Sequence, residues 1–246
     1  MAPDDAGKGG GTGAFFDVDG TLAASNLVDA YIDFRLSNRS LPSRGVWLLG
    51  FIPKLPYYAL VDRFSRARFN RMFLGSYEGV LLEELRSWAE GEGVQYWASR
   101  LYADALLEIG RHREQGHKIG LVTGGLLVTV HPLGSMLSVD AIAAAEAESL
   151  NGRMTGRLAT GPPSGQAKVE ETRRLADTMG VDLRKSYAYA DSYSDRHFLE
   201  CVGHPVAVNP DRRLRRLARA RGWSIRTWRR RNSIERLPIE ETINSG

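Results

Sequence analysis

Two carboxylates, Asp17 and Asp19, stand in the run Ala14-Phe15-Phe16-Asp17-Val18-Asp19-Gly20-Thr21-Leu22. The apolar residues predict a buried strand over 14–18, with the first acid where parallel α/β sheets bind ligands, at the strand's carboxyl end. Two acids crowded there repel, so the site asks for a cation or a proton. Such a pair suits phosphoryl chemistry. Phosphate monoesters hydrolyse extremely slowly in water, and one way around the barrier is a covalent intermediate. Asp17 fits the nucleophile. Asp19 fits the group that protonates the leaving oxygen and then activates water. A solvated Asp-Gly turn would explain one acid, but it explains the full Asp-Val-Asp-Gly-Thr run poorly.

Three later stations carry matching chemistry. Thr123-Gly124-Gly125 follows an apolar stretch at 118–123. A hydroxyl and bare backbone N–H groups there could cradle phosphate oxygens, although Gly-Gly after a strand is also a common turn. Lys168 shares a stripe with Thr172, Leu175 and Met179, at spacings of four, seven and eleven. Such a lysine points inward, where its charge needs a partner, and a phosphoryl group and an Asp would supply one. Asp191-Ser192-Tyr193-Ser194-Asp195 follows a predicted strand at 186–190, and its two acids share one face of a starting helical turn. Beside Asp17 they offer the hard oxygen ligands that magnesium takes. Helix capping is the structural alternative for the same residues and is compatible with that role.

The elements around these stations alternate. Residues 26–96 show no clear strand, and helical spacing is plain at 63–74 and 78–88. From 103 a β/α rhythm sets in. Helices are predicted at 103–115, 126–136 (with Pro132 bending it), 164–180 and 212–220. Strands are predicted at 118–123, 140–145, after the Asn151-Gly152 turn signal, and at 186–190, 205–208 and 223–227. This pattern predicts an α/β fold: a Rossmann-like parallel sheet core with an inserted helical cap. The expected organisation is a flexible leader at 1–13, a core at 14–25 and 97–231, a cap at 26–96 and a loose tail at 232–246.

Composition sets outer limits. The 246 residues are 43% apolar and 25% charged, enough for a sizeable core. The single cysteine, Cys201, forbids an intramolecular disulfide and fits a reducing, cytoplasmic setting. Residues 45–61 form the longest apolar stretch, yet Lys54, Pro53 and Pro56 interrupt it, so a packed helix pair is favoured over a membrane span. A lipid-facing surface is the sharper alternative. Between Asp211 and Arg231 stand ten arginines and one acid. The bland reading is a solvated helix face. The alternative function class is a non-enzymatic module that docks anionic lipid or nucleic acid through this region. Nucleic acid is disfavoured, because no binding motif and few aromatics accompany the arginines.

The four stations, in this order, resemble the haloacid dehalogenase (HAD) superfamily, closest to its phosphoserine-phosphatase-like subfamily IB, over roughly 14–226. The resemblance implies a magnesium-dependent phosphatase with a cap that closes over its substrate. In it Asp17 would be nucleophile and metal ligand, and Asp19 the acid/base, binding metal through its carbonyl. Thr123 and Gly124 would hold phosphate and Lys168 would stabilise it. Asp191 would complete the metal site, supported by Asp195. Arg66, with Arg68 nearby, falls where the family's cap supplies a cationic substrate contact. Phosphoserine phosphatases carry a Glu nine residues past the nucleophile that reads the substrate ammonium, and here that position is Asn26, a neutral amide. Relatives with this style of fourth motif also occur joined to phospholipid acyltransferases. The expected substrate is therefore a small phosphate such as phosphoserine, or a glycerol- or lysophospholipid-type phosphate. A peripheral contact with anionic membrane is a further expectation.

Overall fold

In the computed structural model, residues 10–37 and 39–230 are described. The expected leader up to residue 9 and the expected tail at 232–246 lie outside them. The first strand, β1 (Gly13–Phe16), is fully buried and ends one residue before Asp17. The glycines ahead of it are part of the core edge: the Gly11 N–H donates to the Gly180 carbonyl at 3.0 Å, and the Gly13 N–H to Ser186 Oγ at 2.9 Å. Residues 11–13, expected within the leader, are therefore part of the core.

Six helices follow: α1 (Leu27–Ser37), α2 (Leu41–Phe51), α3 (Leu55–Phe64), α4 (Arg66–Leu74), α5 (Leu82–Glu90) and α6 (Glu92–Arg100). Aromatic rings hold the first four together. Tyr31 of α1 meets Trp47 and Phe51 of α2 and Phe73 of α4, while Tyr58 of α3 meets Phe69 and Phe73. Such contacts add to plain area burial.

The core resumes with α7 (Ala103–Glu114), β2 (Lys118–Leu126), α8 (Leu127–Met136), β3 (Ala141–Leu150) and β4 (Arg153–Thr160). It closes with α9 (Gln166–Met179), β5 (Tyr187–Ala190), α10 (Arg196–Glu200), β6 (His204–Val208), α11 (Arg212–Arg221) and β7 (Ser224–Arg226). The sheet order is β4-β3-β2-β1-β5-β6-β7. All pairings are parallel except β3–β4. That hairpin turns at Asn151 and Gly152, both with positive φ (50° and 76°), as the Asn-Gly signal predicts.

Two differences from the sequence reading matter for the site. β2 runs on through Gly124 and Gly125 to Leu126, with its register against β3 broken between Val122 and Leu126. The glycines therefore lie within an irregular strand end and not in a turn beyond it. The cap is also stitched to the core. The hairpin pairs its backbone with the chain at 79–82: the Gly79 N–H reaches the Met154 carbonyl, the Met154 N–H the Val80 carbonyl, and the Leu82 N–H the Gly152 carbonyl, all at 2.8–2.9 Å. α6 crosses the boundary expected near 96/97, and Trp97 donates its indole N–H to the Thr129 carbonyl on α8 at 2.8 Å.

Candidate active site

β1 sits between β2 and β5, where the chain reverses its direction of travel across the sheet, and strand ends at such a point leave a ligand crevice. Asp17 leaves the end of β1, its N–H bonded to the Tyr189 carbonyl of β5 at 3.0 Å. Its carboxylate is held at both ends. Lys168 Nζ lies 2.6 Å from Oδ1, and the Thr21 hydroxyl donates to Oδ2 at 3.2 Å. Lys168, from the first turn of α9, also lies 3.1 Å from Asp195 Oδ1 and 4.9 Å from the centre of the Phe198 ring. It is 2% exposed. Burial alone would drive its proton off, but Asp17 and Asp195 outweigh burial and hold the pKa above the usual lysine value.

Asp191 follows β5 directly, as its sequence position predicts. Carboxylate oxygens of Asp17, Asp191 and Asp195 all lie within 4.8 Å of one another. Burial, reinforced by Asp17, raises the pKa of Asp191, and burial likewise raises that of Asp195 against the pull of Lys168. Three crowded hard-oxygen donors with strained ionisation form a set that fits a small divalent cation. Gly20 makes room for them. Its φ is +83°, and a Cβ there would strike the Asp191 carboxylate.

Asp19 points elsewhere. Its Oδ1 accepts from Ser25 Oγ at 2.7 Å. Burial pushes its pKa up to about 6, with the Ser25 bond opposing and the charge of Asp17 assisting. An acid balanced near neutrality can give a proton and take it back.

Thr123 and Gly124 of β2 lie at the same sheet edge, Thr123 only 1% exposed. The Thr123 hydroxyl accepts from the Gly125 N–H at 3.2 Å. Over them comes α4, which contacts β2 and β4. Arg66 opens α4, paired with both oxygens of Asp62 at 3.0–3.1 Å. Burial disfavours its charge, yet Asp62, then Asp19 and Asp17, more than restore it. Its field therefore reaches the acids from above. Arg68 is exposed.

Asn26 spends both ends of its amide on the first turn of α1. Oδ1 accepts from the Val28 and Asp29 N–H groups at 2.9 and 3.0 Å, and Nδ2 donates to Asp29 at 2.8 Å. These bonds make Asn26 the cap of α1, a structural role at the position where a substrate contact was expected.

Sequence reasoning missed Asn70. This residue of α4 is 4% exposed, and its Oδ1 has no partner among the described residues. Its carboxamide nitrogen occupies the place where a Cβ on Gly124 would stand. The available signal was its spacing, four residues after Arg66 on one helix face. Ser25 was also missed, because nothing local shows that its hydroxyl reaches back to Asp19.

The chain matches the haloacid dehalogenase-like hydrolase family over residues 14–200, and it belongs to that family. Phosphoserine phosphatase SerB1 of Mycobacterium tuberculosis is 31% identical over 95% of this chain and 76% of that one. A Streptomyces azureus protein named for inhibition of morphological differentiation is 40% identical over 87% of this chain and 77% of its own length. Among solved structures, a Bordetella pertussis protein of unknown function superposes with a TM-score of 0.71 at 26% identity, covering 88% of this chain and 98% of that one. Family and relatives together make the chain a HAD-type phosphatase.

Proposed function

We propose that the protein is a magnesium-dependent phosphomonoester hydrolase that works through an aspartyl-phosphate on Asp17. The observation that carries this reading is the buried Asp17 carboxylate, oriented by Lys168 and Thr21 within reach of the Asp191 and Asp195 oxygens. Asp17, Asp191 and the backbone carbonyl of Asp19 would hold the ion, with Asp195 in support. When bound, magnesium supplies positive charge that offsets the phosphoryl oxygens and the acids.

In the first half-reaction an Asp17 oxygen attacks phosphorus while the bond to the leaving oxygen breaks. Asp19 gives that oxygen its proton, so the product alcohol departs neutral. In the second half-reaction Asp19, now ionised, takes a proton from water as it attacks the phosphoryl group. Phosphate leaves and the Asp17 carboxylate is restored. Lys168 stays charged throughout and offsets the negative charge gathered around Asp17. The Thr123 hydroxyl and the Gly124 N–H are the candidate phosphate cradle.

For the substrate, a glycerol- or lysophospholipid-type phosphate is favoured over phosphoserine. Asn26 is neutral and committed to its helix, so it supplies no carboxylate for an ammonium. Asn70 instead offers a buried, unpartnered acceptor suited to a hydroxyl.

The test is hydrolysis of a generic aryl phosphate with magnesium. Chelation should abolish turnover, and Asp17→Asn should lower kcat by roughly a thousandfold or more, as loss of a nucleophile does. An equally active Asp17→Asn protein would overturn the mechanism. Comparing kcat/KM for glycerol phosphate, lysophosphatidate and phosphoserine ranks the substrates.

A further inference from the structure

Helices α2 and α3 have a face that no other described residue buries. α3 contains no buried residue and α2 only Phe51. Their inward side chains, Trp47, Phe51 and Tyr58, complete the aromatic cluster around Tyr31 and Phe73. The outward side chains of a helix in water are ordinarily polar, but here they are Val46, Leu49, Ile52, Tyr57, Leu60 and Phe64, between 53% and 81% exposed. With Leu41 they make up seven of the nine large exposed hydrophobic side chains among the described residues. Apolar side chains gathered in this way mark an interaction surface.

The charge on the same segment chooses among partners. Lys54 and Arg63 are exposed on the same segment, while Arg39 and Arg44 are half-buried and Arg44 Nε donates to the Arg39 carbonyl at 2.9 Å. Asp62 is the one acid between residues 39 and 64, and Arg66 holds both of its oxygens. The face therefore presents cations around a greasy centre, the composition of a helix that lies in an anionic lipid interface. A tyrosine at its edge fits the headgroup region. No described helix is long and apolar enough to cross a membrane, so the geometry calls for lying on the bilayer and not spanning it.

We infer that the outer face of α2 and α3 docks this protein onto anionic bilayers, with the apolar side chains entering the acyl boundary and the exposed cations Lys54 and Arg63 meeting lipid phosphates. The inference is independent of which phosphate the active site hydrolyses.

Flotation with vesicles of phosphatidylcholine alone, and of phosphatidylcholine with phosphatidylglycerol, tests it on the full chain. The wild type should float with the anionic vesicles, less so in high salt because screening weakens the cationic contribution. The double variant L49E/L60E should partition roughly tenfold more weakly or worse. It should keep its melting temperature and its activity on a soluble aryl phosphate, since both sites are exposed. A second variant, R215Q/R216Q/R219Q on α11, should float like the wild type. No flotation of the wild type, equal flotation of L49E/L60E, or loss of binding only in the α11 variant would overturn the proposal. Sedimentation velocity without lipid covers the other occupant. A dimer that L49E/L60E dissociates would assign the face to a second copy of the chain instead.

Discussion

At the scale of single residues, the site balances charge by placing each ionisable group against a specific neighbour. Asp17 is fixed by Lys168, Asp195 is shared with the same lysine, and Asp19 is turned aside to Ser25. Removing Lys168 leaves buried carboxylates without their cation, and loss of one partner from such a group costs about 3–5 kcal/mol. Lys168→Met should therefore unfold at clearly lower urea at pH 7, besides losing activity, and added magnesium should return part of the stability. Ser25 offers a finer test. Its bond lowers the Asp19 pKa against burial, so Ser25→Ala should move the alkaline limb of the kcat/KM profile to higher pH. An unmoved or lowered limb would remove Asp19 from the role of proton donor. The acids could be read in the sequence because each follows a strand and sits among its own kind. Ser25 and Asn70 could not, because their partners are fixed only when loop and cap close over the sheet.

At the scale of elements, α4 matters most. It brings Arg66 above the acids and lays Asn70 against Gly124. The bare Cα of Gly124 is what permits that contact. Gly124→Ala should lower stability by about 1–3 kcal/mol, the usual cost of overfilling a packed site, and should lower activity with it. Adding Asn70→Ala should recover part of the stability, giving a coupling energy of about 0.5–3 kcal/mol in a denaturation cycle. Strict additivity would mean the two residues do not meet. The strand-helix alternation, the Asn-Gly hairpin and the helical insertion were legible from period and turn chemistry. Two features were not. The prolongation of β2 past Thr123 depends on a register break with β3, and the crossing of α6 onto α8 depends on where Trp97 finds an acceptor. Both are settled by tertiary contact, which local pattern does not encode.

At the scale of the whole molecule, the sheet carries its own response to acid. His112 on α7 is buried, with Nε2 2.7 Å from the Tyr189 hydroxyl and Nδ1 2.8 Å from His117 Nδ1. Tyr189 donates to Glu108 at 2.9 Å, so His112 donates through Nε2 and accepts through Nδ1. A second proton on Nδ1 would require His117 to switch tautomer and accept it. Burial first, and His117 next, press the pKa down to about 4. The unfolded chain takes up this proton near pH 6.5 and the folded chain only near 4, so this group's contribution to stability is complete above pH 6.5 and declines as pH falls toward 4. Melting temperatures should drop less over that interval in His112→Gln than in the wild type, and parallel curves would refute the assignment. Two of the six arginines of α11 are engaged within the fold. Arg213 stacks over Tyr193 at 4.2 Å and Arg221 lies 3.4 Å from Glu200.

The join at residues 79–82 is made mostly of main-chain atoms, with the Arg153 guanidinium adding a bond to the Gly79 carbonyl at 2.9 Å. Side-chain substitution can repaint the roof of the chamber, or its outer skin, without touching that joint. Variation in the side chains that face the acids can therefore proceed while the backbone seam between cap and hairpin stays the same.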